Sequence, residues 1–186
     1  ATARASQAFQ TWSDSGEDVI DVPVDVKPYA YPANCADVSE LFTGAPCCAV
    51  TAAPLFSADE CAFIIDEAET KNGWVPQEFR YARDVVQQCE DLPEVRSWLE
   101  AACRDSLFPL LQRTFPEVVG DGAAARDALR VFDSKILRYD SSKGESHLGA
   151  HRDGTLLTCV IALNSLDEYE GGGTTMEPLE RTIRYD

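Results

Sequence analysis

Residues 156–163 read Leu-Leu-Thr-Cys-Val-Ile-Ala-Leu, an almost unbroken apolar run. A run this short, without an alternating polar face, reads as a strand covered on both sides. The rest of the fold must therefore supply neighbours for it. Patterning along the chain changes at Gly120-Asp121-Gly122. Before that point the apolar spacing is helical. After it come short strand-like runs at residues 129–132, 135–139, 174–176 and 181–185. Helices followed by strands imply an α+β fold with the helices set to one side of antiparallel sheet.

The helical half carries its own punctuation. Ser57 and Glu60 have the spacing of a capping box, and Cys61, Ile64, Ile65 and Ala68 follow on one face. Asn72-Gly73 supplies a stop. A second helix is expected over residues 93–115, with Pro93 in its first turn and Val95, Trp98, Leu99 and Ala102 as its core stripe. Pro109 lies inside that span and predicts a kink or a split.

Residues 1–53 read differently. Acids alternate with small apolar residues, and Pro23, Pro28, Pro32 and Pro46 interrupt regular structure. Residues 19–26 fit one edge strand, where proline is tolerated. The expected organisation is an irregular arm over 1–53, either a surface tail or a docking arm, and a domain over 54–186. At 186 residues the chain is long enough for one real core.

The net charge of −16 argues against a nucleic-acid partner, because an acidic surface repels phosphate backbones. No apolar stretch approaches the roughly 20 residues of a membrane span. The first residues, Ala-Thr-Ala-Arg-Ala-Ser-Gln-Ala, lack the apolar core of a signal peptide. They fit either the mature end of an organelle-targeted precursor or a sequence that starts part-way. The seven cysteines show no Cys-x-x-Cys spacing. Cys61, Cys103 and Cys159 sit in apolar patterns and read as buried thiols, whereas Cys35, Cys47 and Cys48 lie in irregular sequence.

The chemistry-bearing motif is His151-Arg152-Asp153. On an extended backbone, residues two apart point the same way, so an imidazole and a carboxylate converge. They supply two of the three ligands of a facial triad, an arrangement that leaves metal positions open for substrate and oxygen. The competing reading is a surface loop turning at Asp153-Gly154. His147 lies four residues before His151, but Gly144 and Gly149 argue against the helix that would put both on one face.

The flanking order adds weight. Lys135-Ile136-Leu137-Arg138-Tyr139-Asp140 precedes the motif, the apolar run ending in Leu163-Asn164 follows, and Gly171-Gly172-Gly173-Thr174 comes after. This order resembles the Fe(II)- and 2-oxoglutarate-dependent dioxygenases of the prolyl and lysyl hydroxylase-like branch. The likeness is close over residues 131–186 and weaker back to Leu55. It implies a double-stranded β-helix, or jelly roll, incomplete at its C-terminal side and preceded by support helices. It implies Fe(II) on His151 and Asp153, 2-oxoglutarate as cosubstrate with Tyr139 on its distal carboxylate, and ascorbate as an auxiliary reductant. Tyr139 also fits an ordinary core aromatic. Lys135, Thr158 and Asn164 are implied pocket residues, with Arg138 a further cation beside Tyr139. The substrate would be a peptide side chain or a small molecule.

The family pattern also needs a distal histidine and a later arginine or lysine to anchor 2-oxoglutarate. The sequence holds only His147 and His151. Three expectations follow: a piece of a complete hydroxylase, a non-catalytic subunit whose open sheet edge is covered by a protein partner, or a site assembled from two chains.

Overall fold

A computed structural model describes residues 25–30, 46–77 and 82–185. The chain divides into two compact units. Among the described residues, one holds 62–77, 82–102 and 130–161, and the other holds 25–30, 46–61, 103–129 and 162–185. Helices and small antiparallel sheets are mixed, so the α+β expectation is met at that level. Residues 1–24 and most of the proline-rich arm lie outside the described residues, and with them Cys35 and most of the expected edge strand at 19–26.

Helix α1, Ala58–Lys71, starts where the sequence predicts. The backbone N–H of Ser57 donates to Glu60 Oε2 at 2.8 Å, and the Glu60 N–H donates to Ser57 Oγ at 3.3 Å. This reciprocal box satisfies two donors that a helix start leaves free. The helix ends as Asn72 enters the left-handed region at φ 50°. Gly73 follows with no side chain because there is no room for one. A Cβ there would lie 2.6 Å from Gln87 Nε2.

The first unit is built on a three-stranded antiparallel sheet in the order β3 (Val75–Pro76), β5 (Val85–Gln88), β6 (Lys135–Arg138). The central strand pairs Val86 with Val75 on one side and with Leu137 on the other. β-Branched Val85 and Val86 are 6% and 5% exposed, as a flanked strand requires. A short ladder joins β4 (Ala82–Arg83) to β7 (His147–Leu148). Helix α2, Pro93–Ala102, opens on its proline and buries Val95 and Ala102, with Trp98 and Leu99 half-buried. Ile64, Ala68, Leu92 and Ile136 complete the core of this unit.

The second expected helix is split. After Ala102 the backbone takes a π-helical turn, Cys103–Leu107, before α3, Phe108–Thr114. Pro109 has no N–H to give the carbonyl of residue 105, so regular α-helix through that point is excluded and the wider turn absorbs the mismatch. Cys103, Leu107, Phe108 and Leu110 are buried in the second unit. Two short helices follow, α4 (Pro116–Val119) and α5 (Gly122–Asp127). The same unit contains the β1–β2 ladder, Val26–Ala30 with Pro46–Thr51, and the β8–β9 ladder, Thr174–Met176 with Arg181–Ile183.

Gly171, Gly172 and Gly173 all have positive φ ahead of β8. A Cβ on Gly173 would sit 2.8 Å from the Ile183 carbonyl oxygen. The glycine run thus permits a turn and a close backbone approach, as its sequence implied.

Two expected strands are absent. Residues 129–132 and 156–163 carry no strand, and Phe132, Leu156 and Val160 are largely exposed. A strand exists only with partners, and no described strand lies beside either run to take up its backbone groups. The described sheets have two or three strands each and do not close into a jelly roll. The same exposure overturns the expectation for Cys159, which is exposed, whereas Cys103 is buried and Cys61 half-buried. The six described cysteines are free thiols. Burial, and then neighbouring Cys47, pushes the Cys48 thiol up to about 11.

Candidate functional site

His151 and Asp153 do converge. Strand β7 delivers the chain to Gly149, and the backbone then turns so that His151 Nδ1 meets the Gly149 carbonyl oxygen at 2.8 Å. A carbonyl only accepts, so Nδ1 carries the hydrogen. In the neutral ring this leaves the lone pair on Nε2, which faces Asp153 Oδ1 at 3.1 Å.

Two acceptors at that distance repel unless something positive joins them. A proton on Nε2 makes an ion pair, and a metal ion makes two bonds. Two ligands each about 2.1 Å from a metal and at right angles stand about 3.0 Å apart. The observed separation therefore suits neighbouring positions on one metal ion. The carbonyl on Nδ1 is also the usual support that fixes a ligating imidazole. Both side chains are partly open to solvent, at 32% and 44% exposure.

The fit stops at two ligands. Among the described residues no group of three His, Cys, Asp or Glu side chains is placed to hold a metal ion. His147 is exposed on β7, with Nδ1 3.0 Å from Ser146 Oγ.

The other implied residues are dispersed. Tyr139 directly follows β6 and is 51% exposed. Lys135 is held by Asp133, Nζ to Oδ2 at 2.6 Å. Thr158 meets Thr155, hydroxyl to hydroxyl at 3.0 Å, in the exposed run. Asn164 donates from Nδ2 to Glu168 Oε2 at 3.2 Å, and the Ser165 N–H donates to the same oxygen at 2.9 Å. That pair builds a turn in the second unit.

Sequence reasoning missed the role of Arg138. Its guanidinium stacks on Trp74 at 4.7 Å and lies 3.4 Å from Glu69 and 3.5 Å from Glu145. Its charge is thus engaged by carboxylates of its own unit. Glu69 and Trp74 lie more than 60 residues before Arg138, so no local signal announces the cluster.

The turn leading into β7 is well specified. Asp140 Oδ1 accepts from the Ser142 hydroxyl and from the Ser142 N–H at 3.1 Å, and Asp140 Oδ2 pairs with Lys143 Nζ at 2.9 Å. These bonds to Ser142 and Lys143 hold the Asp140 carboxyl down at about 2. Gly144 closes the turn at φ 80°.

Comparison with family models, with curated proteins and with solved structures finds no match for this chain.

Proposed function

We propose that the chain carries part of an Fe(II)- and 2-oxoglutarate-dependent hydroxylase domain of the prolyl and lysyl hydroxylase-like type. The observation that supports this most directly is the 3.1 Å approach of His151 Nε2 to Asp153 Oδ1, with Nδ1 tied to a backbone carbonyl. The ordered sequence elements around the pair support it as well.

His151 and Asp153 would hold the iron through Nε2 and Oδ1. When bound with 2-oxoglutarate and oxygen, iron supplies the oxidising power to hydroxylate a C–H bond. Gly149 keeps the imidazole in the tautomer that can ligate. Asp153 adds negative charge that raises affinity for a dication. Tyr139 would offer a phenolic hydrogen bond to a carboxylate. A third protein ligand has no counterpart among the described residues, so metal binding by this chain is expected to be weak.

The test is a Co(II) titration followed by visible absorption, using Co(II) as an oxygen-tolerant stand-in. Saturable binding that weakens at least about tenfold in both His151→Ala and Asp153→Asn supports the reading. Binding unchanged by either substitution removes it.

A second reading is a non-catalytic subunit whose apolar surface is covered by a protein partner. It is favoured by the exposure of Leu156 (79%) and Val160 (61%), and by β6, which has a described strand on one side only. A chain that binds no Co(II) but self-associates or captures a strand through residues 156–163 would fit this reading instead.

A further inference from the structure

Cys47 and Cys48 are the only two cysteines adjacent in the sequence. Both lie on β2 in the second unit and are half-buried. Adjacent residues of a regular strand point to opposite faces, which would hold the two thiols apart. The strand is not regular at this point.

The β1–β2 ladder pairs Tyr29 with Cys48 and then Ala30 with Pro46, so it skips Cys47. Cys47 is thus the extra residue of a β-bulge, a device that bends a strand and re-aims a side chain. Its thiol donates to the Tyr29 carbonyl oxygen at 3.1 Å. It also shares a hydrogen bond with the Cys48 thiol, so the two sulfurs are in contact. A direct bond between them is a poor use of this closeness. Neighbouring Cα atoms stand about 3.8 Å apart across a trans peptide, below the roughly 4.4–6.8 Å that a disulfide prefers. Zinc is poorly served too. It takes four ligands, and no group of three His, Cys, Asp or Glu side chains is placed to hold a metal ion among the described residues. The pair suits a centre that needs two sulfurs and no more.

We propose that Cys47 and Cys48 form a vicinal dithiol site for trivalent arsenic carrying one organic group. Such an arsenic has one position filled by carbon and two open to sulfur, so two thiols saturate it. With an arsine oxide the step is a condensation. Both S–H bonds and the As=O bond break, two As–S bonds form, and the oxygen leaves with both protons as water. Arsenic stays trivalent, so neither oxidant nor reductant is needed. The Cys48 thiol, pushed up to about 11 by burial and by Cys47, stays protonated at neutral pH. The thiol is the form that the condensation consumes, whereas reagents that need a thiolate are slowed. An arsenic bridge also inserts an atom between the sulfurs, which relieves the strain of a direct disulfide. The site makes no use of His151 or Asp153 and stands apart from the iron reading.

The experiment adds phenylarsine oxide to the reduced, folded chain. Intact mass and peptide mapping locate the adduct, and competition with dithiothreitol gives its affinity. One phenylarsenic group bridging Cys47 and Cys48 is expected. Cys47→Ser and Cys48→Ser should each weaken binding at least about a hundredfold, because a second linked ligand is lost. Cys61→Ser should leave binding unchanged. The peptide acetyl-Ala-Pro-Cys-Cys-Ala-Val-amide has the same sequence without the bulge. It should bind at least about tenfold more weakly than the folded chain, which holds the two thiols together in advance. Mapping on the unsubstituted chain decides the matter if a serine variant fails to fold. No adduct, an adduct mapped to other cysteines, full affinity in either folded serine variant, or a peptide that binds as tightly as the folded chain would overturn the proposal.

Discussion

Two apolar stretches meet opposite fates. Val85 and Val86 lie in β5 between two strands and are almost fully buried. Leu156 and Val160, in a longer and more apolar run, lie in no strand and stand open to solvent. Apolar composition is shared, so it cannot be the deciding factor. What differs is company: β5 has β3 and β6 to take its N–H and C=O groups, and the 156–163 run has no described neighbour. A hydrophobic run states that it must be covered but does not say what covers it.

The sharpest way to break this comparison is by truncation. Leu92 has no exposed surface, and Leu92→Ala should lower unfolding free energy by about 2–5 kcal/mol in urea titrations. Leu156→Ala should change it by less than about 0.5 kcal/mol. A large cost at Leu156 would mean that the run is packed in solution and that the two regions do not differ.

A second contrast uses glycines. Gly173 has φ 98°, and a Cβ there would meet the Ile183 carbonyl at 2.8 Å, so Gly173→Ala should destabilise by about 1–3 kcal/mol. Gly154, beside Asp153, has nothing within 4 Å of a built Cβ. Gly154→Ala should be neutral or stabilise by up to about 1 kcal/mol through the unfolded chain. Thermal unfolding of both variants checks this pair. Equal losses would show the motif loop to be as constrained as the β8 turn.

The helix start gives a smaller effect. Ser57→Ala removes both the acceptor for the Glu60 N–H and the hydroxyl bonded to Glu60, and should cost about 1 kcal/mol in urea titrations.

The smallest expected effect concerns the turn into β7. The Asp140 carboxyl titrates at about 2, below its ordinary 3.8, because Ser142 and Lys143 stabilise the charged form. A depressed carboxyl supports the folded turn fully above its unfolded value and loses that support as pH falls toward 2. Carboxyl-carbon NMR should place the Asp140 midpoint near 2, and Lys143→Ala should move it upward. A midpoint near 3.8 in the native protein would contradict the turn geometry.

Much of the fold was legible because local chemistry decides it. Ser57 and Glu60 mark a helix start, Pro93 marks another, and β8 falls where the strand pattern of 174–176 predicts it. Pro109 announces the interruption but not the π-helical form it takes. The candidate site was legible only in part. His151 and Asp153 meet because they are two residues apart, which spacing alone conveys. The Arg138–Trp74–Glu69 cluster was not, since Glu69 and Trp74 lie more than 60 residues before Arg138 and only tertiary packing brings them near. Tyr139, Lys135, Thr158 and Asn164 were named by resemblance, and Lys135, Thr158 and Asn164 each have a local partner, Asp133, Thr155 and Glu168.

The most direct test of the central claim is nitrogen NMR of the two histidines during titration with Zn(II). The account predicts that His151 holds its proton on Nδ1 before metal is added, and that only its Nε2 shifts on binding. Asp153→Asn should abolish that shift. A shift centred on His147, metal bound at His151 Nδ1, or no response from either ring would contradict the account.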